Sequence, residues 1–140
     1  MRDLENNVLA VKTIDPVVAN DTTEGTGTAV DIAGYEGAMF LVHVGQSGDS
    51  LSGSVKWTIS YQESDASGSG FTDVAAAELT GGTNGTVIDA AAEDEVVIQR
   101  GYLGSKRYLR VLCTADGTHT YGTPLSAVIV KGFPRHAPAV

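Results

Sequence analysis

The sequence predicts an all-β domain, an antiparallel β-sandwich or small barrel of about eight strands with an extended N-terminal arm and a C-terminal tail. Three observations predict it. Short apolar runs recur at close spacing, separated by turns that draw on 17 glycines and many Ser and Asp residues. One stretch alternates strictly, setting Val55, Trp57, Ile59 and Tyr61 against Lys56, Thr58, Ser60 and Gln62, which is the period of a half-buried strand. No helical stretch long enough to act as a crossover lies between the runs, so neighbouring strands pair antiparallel. A chain of 140 residues suits one core, divided here into an arm (1–25), a sandwich (26–131) and a tail (132–140).

The arm carries short apolar groups, Val8-Leu9-Ala10-Val11 and Pro16-Val17-Val18-Ala19, before the polar turn Asn20-Asp21-Thr22. Pro16 has no amide proton and a fixed φ, which suits an arm or an edge strand better than a central one. Strands are expected at 28–32 and 38–44, on either side of the break Gly34-Tyr35-Glu36-Gly37. A Gly/Ser loop at 45–53 leads into the alternating strand, whose Trp57 and Tyr61 point to the core. After a second loop at 63–70, Ala75-Ala76-Ala77-Glu78-Leu79 has room for one helical turn. Further strands follow at 86–89, 95–99, 107–114 and 121–130. In two of these both faces are partly apolar, with Leu109, Val111 and Cys113 opposite Tyr108, Arg110 and Leu112, and a similar pattern at 125–130; both read as central strands. Pro134 and Pro138, with no alternation around them, mark the tail.

Composition excludes several functions. Nine Lys plus Arg against seventeen Asp plus Glu give a net charge of -8, which opposes binding to nucleic acid or to an anionic membrane. No apolar run is long enough to span a bilayer, and no signal peptide is expected. Cys113, the one cysteine, reads as a small buried hydrophobe. His43, His119 and His136 lie in unlike segments without metal-ligand spacing; His43, in an apolar strand, reads as a core or edge residue. The acidic groups Glu63/Asp65 and Glu93-Asp94-Glu95 read as solvated turn residues, and the Gly/Ser loops lack the strand-loop-helix context that cradles phosphate. No catalytic residue, metal site or cofactor is expected. Arg100, Lys106, Arg107 and Arg110 form a modest basic group in an acidic chain, either a solvated strand end or donors for carboxylates on a partner protein.

The opening Met1-Arg2-Asp3-Leu4, the segment Val30-Asp31-Ile32-Ala33-Gly34-Tyr35, the phrase Gln62-Glu63-Ser64-Asp65 leading to Phe71-Thr72-Asp73-Val74, the block Gly101-Tyr102-Leu103-Gly104-Ser105-Lys106-Arg107-Tyr108-Leu109-Arg110-Val111, and the ending Gly132-Phe133-Pro134-Arg135-His136-Ala137-Pro138 together resemble a family of small virion proteins of tailed bacteriophages. These are of the head decoration, or cement, type, and the resemblance spans nearly the whole chain. It implies a non-enzymatic, β-rich subunit, made in the host cytoplasm, that binds the major capsid protein on the outer capsid surface of the virion. It also implies a symmetric homo-oligomer, a trimer first because quasi-threefold lattice positions offer matching sites; cyclic symmetry alone would also allow a dimer. The expected contacts are Leu4, Val8, Leu9 and Val11 in the arm, Phe133, Pro134 and Arg135 in the tail, and the four basic residues. A tail or head-to-tail connector subunit is the nearest alternative. A carbohydrate-binding sandwich would need exposed aromatics, with Trp57 and Tyr61 as the candidates.

Overall fold

A computed structural model describes residues 3–136 and 139. In chain order the strands are β1 (Val8–Ala19), β2 (Val30–Asp31), β3 (Tyr35–Val44), β4 (Lys56–Ser64), β5 (Thr72–Asp73), β6 (Thr86–Ile88), β7 (Val96–Tyr102), β8 (Tyr108–Asp116) and β9 (Thr123–Pro134). Sheet A has the order β1-β9-β3-β7; sheet B runs β2-β8-β4, with β5 and β6 sharing the far side of β4. Every pairing is antiparallel. The fold is therefore an all-β sandwich, with nine strands among the described residues where about eight are expected from the sequence. The expected helical turn is present as a single 3-10 turn, Ala76–Glu78.

The strict alternation of β4 places Trp57, Ile59 and Tyr61 wholly inside. Across the sandwich they meet Phe40 and Val42 of β3 and Ile129 of β9, while Leu109, Val111 and Cys113 of β8 extend the same layer. The Phe40 ring lies 4.8 Å from that of Tyr61, and stands edge-on to Tyr102 at 6.1 Å. Such aromatic pairs add about 0.5–1.5 kcal/mol beyond the area they bury.

One side of the sandwich is closed by the segment after β1. Gly27 N donates to Val111 O at 2.9 Å, Cys113 N donates to Gly25 O at 2.8 Å, and Thr28 N donates to Thr13 O at 2.6 Å. The segment thus stitches β1 of sheet A to β8 of sheet B. A Cβ at Gly25 would stand 2.2 Å from Cys113 O, and one at Gly27 2.3 Å from Thr13 Oγ1, so only glycine fits at either position.

Both ends of the chain depart from expectation. The apolar groups assigned to a free arm form β1, a twelve-residue edge strand paired with β9 from Val8 to Ala19. Two register shifts, between Lys12 and Ile14 and between Ile14 and Val17, interrupt its alternation. They are β-bulges. The first brings Ile14 inward next to Thr13, whose hydroxyl donates to Thr28 O at 2.8 Å; the second accommodates Pro16, which has no N–H to give to a ladder. The tail likewise does not leave the sheet at Gly132, because β9 continues to Pro134, paired with Tyr35 of β3. Further contacts hold this end, from Arg135 N to Gly34 O and from Ala139 N to Asn6 O. Met1, Arg2 and Pro138, which belong to the expected arm and tail, lie outside the described residues.

Candidate interaction surface

The two sheets present different outer faces. On sheet B the outward pairs between β4 and β8 are Lys56 with Asp116, Thr58 with Thr114, Ser60 with Leu112 and Gln62 with Arg110. This is a polar ladder, as a solvated sheet face should be. On sheet A the inward set is Phe40, Val42 and Val44 of β3 with Leu125, Ala127 and Ile129 of β9. Most of the alternate positions that remain outside are apolar, namely Met39 and Leu41 on β3, Val128 and Val130 on β9, Val97 on β7, and Val8, Ala10 and Val18 on β1, with Gln99, Ser126, His43 and Lys12 set among them. Val97 is 54% exposed and Val18 51%. Among the described residues the ionisable groups on this face are His43, Glu95 at one end, and the Lys12–Asp15 pair, whose opposite charges meet at 2.7 Å on the β1 edge. An apolar face of this extent in an acidic chain marks a contact surface.

The face is not flat. At one end, Val18, His43, Val97, Pro124 and Ser126 line an open groove of about 610 Å³, with Glu95 on its rim. At the other end lies Phe133. By alternation this residue would follow Ile129 and Lys131 inward, yet its φ is 55°. A Cβ built on Gly37, an outward position of β3, would stand 3.1 Å from the Phe133 ring. The ring therefore lies across Gly37 on the outer side, 72% exposed. Among the described residues, a positive φ outside glycine occurs at Glu95 (56°) and Phe133 (55°). Such a conformation costs roughly 1–3 kcal/mol and tends to persist at functional sites. Both instances sit at the ends of this face.

The structure scatters the other expected contact residues. Leu9 and Val11 pair with the inward positions Lys131 and Ile129 and lie on the core side of β1, whereas Val8 joins the outer face. Leu4 is exposed ahead of a 3-10 turn, Glu5–Asn7. The basic residues are engaged within the chain. Arg107 makes a two-pronged contact to Asp31 at 3.0 and 2.7 Å, Lys106 meets Asp65, and Arg135 meets Glu36. Arg110 donates to Gln62 at 2.8 Å and stacks over Phe71. Arg100 stands opposite Phe40 on the inward side of β7 and donates to Gln99 O at 2.8 Å. The four do not form one open basic patch.

Several polar residues expected in solvent are buried. Glu63 is 8% exposed and accepts the phenol of Tyr102, which in turn accepts Lys106 N at 2.8 Å. Burial, and after it the bond to Glu63, push the Tyr102 phenol well above its ordinary pKa. Asp94 is buried too, accepting Ser47 N at 2.9 Å. His43 is exposed on sheet A, while His119, in the loop between β8 and β9, is buried beside Trp57 with ring centroids 4.8 Å apart. Asp49 takes backbone N–H donation from Thr120, Tyr121 and Gly122 at 2.8–3.2 Å. Burial raises its pKa, but these bonds together outweigh it and leave the carboxyl below its ordinary value. These groups pin loops together. Burial alone pushes the Cys113 thiol up to about 12, where little nucleophilic thiolate exists at neutral pH. Among the described residues no group of three or more His, Cys, Asp or Glu side chains is arranged to hold a metal ion. Trp57 and Tyr61 are wholly buried, so they offer no platform to a sugar.

No family model matches the chain, and no curated protein is significantly similar to it.

Proposed function

We propose that the protein is a structural virion component of a tailed bacteriophage, a decoration subunit that attaches to the outside of an assembled capsid and stabilises the lattice. The observation that carries this reading is the apolar outer face of sheet A, a second apolar surface on a sandwich that already has a core. A subunit built this way works by being covered, and its partners gain stability by mass action because it binds only the assembled form. The segments between Met1 and Pro138 that resemble small phage virion proteins point the same way. The partner is the major capsid protein, and the subunit acts as a symmetric homo-oligomer without nucleic acid, membrane or cofactor.

The test is to mix purified protein with expanded capsids that lack it and to locate it by cryo-electron microscopy. Density at many equivalent positions on the outer shell is the expected result. Density confined to the portal or tail would move the assignment to a connector subunit, and absence of bound protein would overturn the reading.

A further inference from the structure

The outer face of sheet A carries both a projection and a recess. Phe133, the projection, lies next to the last residue of β9; Pro124 and Ser126, which line the recess, lie near its start. Residues 126 and 133 are seven positions apart on one strand, about 24 Å at strand rise. A two-fold axis lying in the contact plane, perpendicular to β9 and passing beside Val128 and Val130, lays one such face on another and reverses β9. Each Phe133 then falls on the other copy's recess. We propose that this face is the contact between two copies of the chain, each seating its Phe133 in the Val18/Val97/Ser126 groove of the other. The proposal deepens the assembly reading above and rests on that face being an assembly surface.

Charge permits this occupant. The chain has seventeen Asp and Glu, but on this face the carboxylates are Asp15, neutralised by Lys12, and Glu95 at the groove rim. The one uncompensated carboxylate of each face, Glu95, stands at the groove end, and the two-fold sets it against the Phe133 end of the other copy, away from the other Glu95. Area permits it too. Four strands spaced ~4.8 Å, each contributing about nine residues at ~3.4 Å, present roughly 600 Å². Two faces bury roughly 1,200 Å², where stable specific interfaces begin. Stacked sheets pack at about 10 Å with side chains interdigitated, the arrangement already used in the core. An exposed aromatic held rigidly by its backbone, entering an apolar recess at the edge of a broad apolar contact, is the pattern of an interface anchor. Any other partner would have to supply both a matching projection and a matching recess. This chain supplies both, on one face, and a self-complementary face closes with two copies, not three.

The experiment is sedimentation equilibrium of the full chain without capsids, joined to cysteine cross-linking. The wild type should sediment as a dimer. Phe133→Gly keeps the left-handed backbone without strain, so its urea midpoint, read at a dilution where both proteins are monomeric, should not fall, while its dimerisation weakens about tenfold or more. Under oxidation, Phe133→Cys mixed with Ser126→Cys should form a covalent heterodimer, whereas neither variant alone should. Cys113 is buried and takes no part. A monomeric wild type, a trimer, or cross-links that form only between like variants would overturn the proposal. A monomeric wild type that still decorates capsids removes the self-contact and leaves the capsid reading standing; a dimer that ignores capsids does the reverse.

Discussion

Asp49 shows what one side chain does in a helix-poor fold. Its carboxylate collects N–H groups from Thr120, Tyr121 and Gly122, holding the loop before β4 against the loop before β9. Because hydrogen bonding depresses its folded pKa below the ordinary 3.8, its contribution is complete above that value and is lost as pH falls through the lower folded one. Asp49→Asn should destabilise the protein by roughly 1–3 kcal/mol at pH 7. It should also flatten the loss of stability below pH ~4. Urea titrations at neutral and acid pH check both, and equal acid slopes in the two proteins would remove Asp49 from the account. Cys113 gives a second residue-scale expectation. With its thiol pushed up to about 12 by burial, a disulfide reagent should modify it only as fast as the chain opens. Labelling in native buffer at the rate of a free thiol would contradict its placement. Sequence made Cys113 legible because its neighbours on β8 alternate around it. It hid Asp49, Glu63 and His119: Asp49's partners lie 71–73 positions away and Glu63's lies 39 away, so nothing local separates them from turn residues in water.

At the scale of elements, β4 and β1 are opposite cases. β4 alternates without interruption, so its buried face could be read directly from Trp57, Ile59 and Tyr61. β1 is longer, yet its two bulges shift the inward set from Leu9 and Val11 to Ile14 and then to Val17 and Ala19. No single period of two describes that set, and Pro16 adds a signal that usually marks the end of a strand. The ladder with β9 was thus invisible until β9 was placed beside it. Consequently residues 8–14 are not a detachable arm, since they include Ile14, 4% exposed in the core. Ile14→Ala should cost about 2–4 kcal/mol. Val8→Ala, on the outer side, should stay within about 0.5 kcal/mol. Chemical denaturation of the two variants checks the bulged register, and equal losses would mean that the strand slides.

For the whole molecule, the decisive quantity is the balance between a net charge of -8 and an apolar, nearly uncharged face on sheet A. The apolar pattern at 125–130 was legible as a two-faced strand, but that its outer side is continuous with Met39, Leu41, Val97 and Val8 follows only from the strand order. Charge and face act oppositely on association. Two chains of like charge repel over a Debye length of ~30 Å at 0.01 M salt but only ~8 Å at 0.15 M, while burial of apolar area is not weakened by moderate salt. Association through sheet A should therefore tighten as salt rises from low to physiological strength. Docking through the cationic side chains of Lys106, Arg107 and Arg135 would instead loosen over the same range, because screening removes its attraction. Leu41→Lys places a charge in the middle of the apolar face and should abolish association at every salt concentration, with the fold retained by circular dichroism. Sedimentation across a salt series separates the cases: affinity that falls with salt would transfer the contact from the apolar face to the charged end of the sandwich.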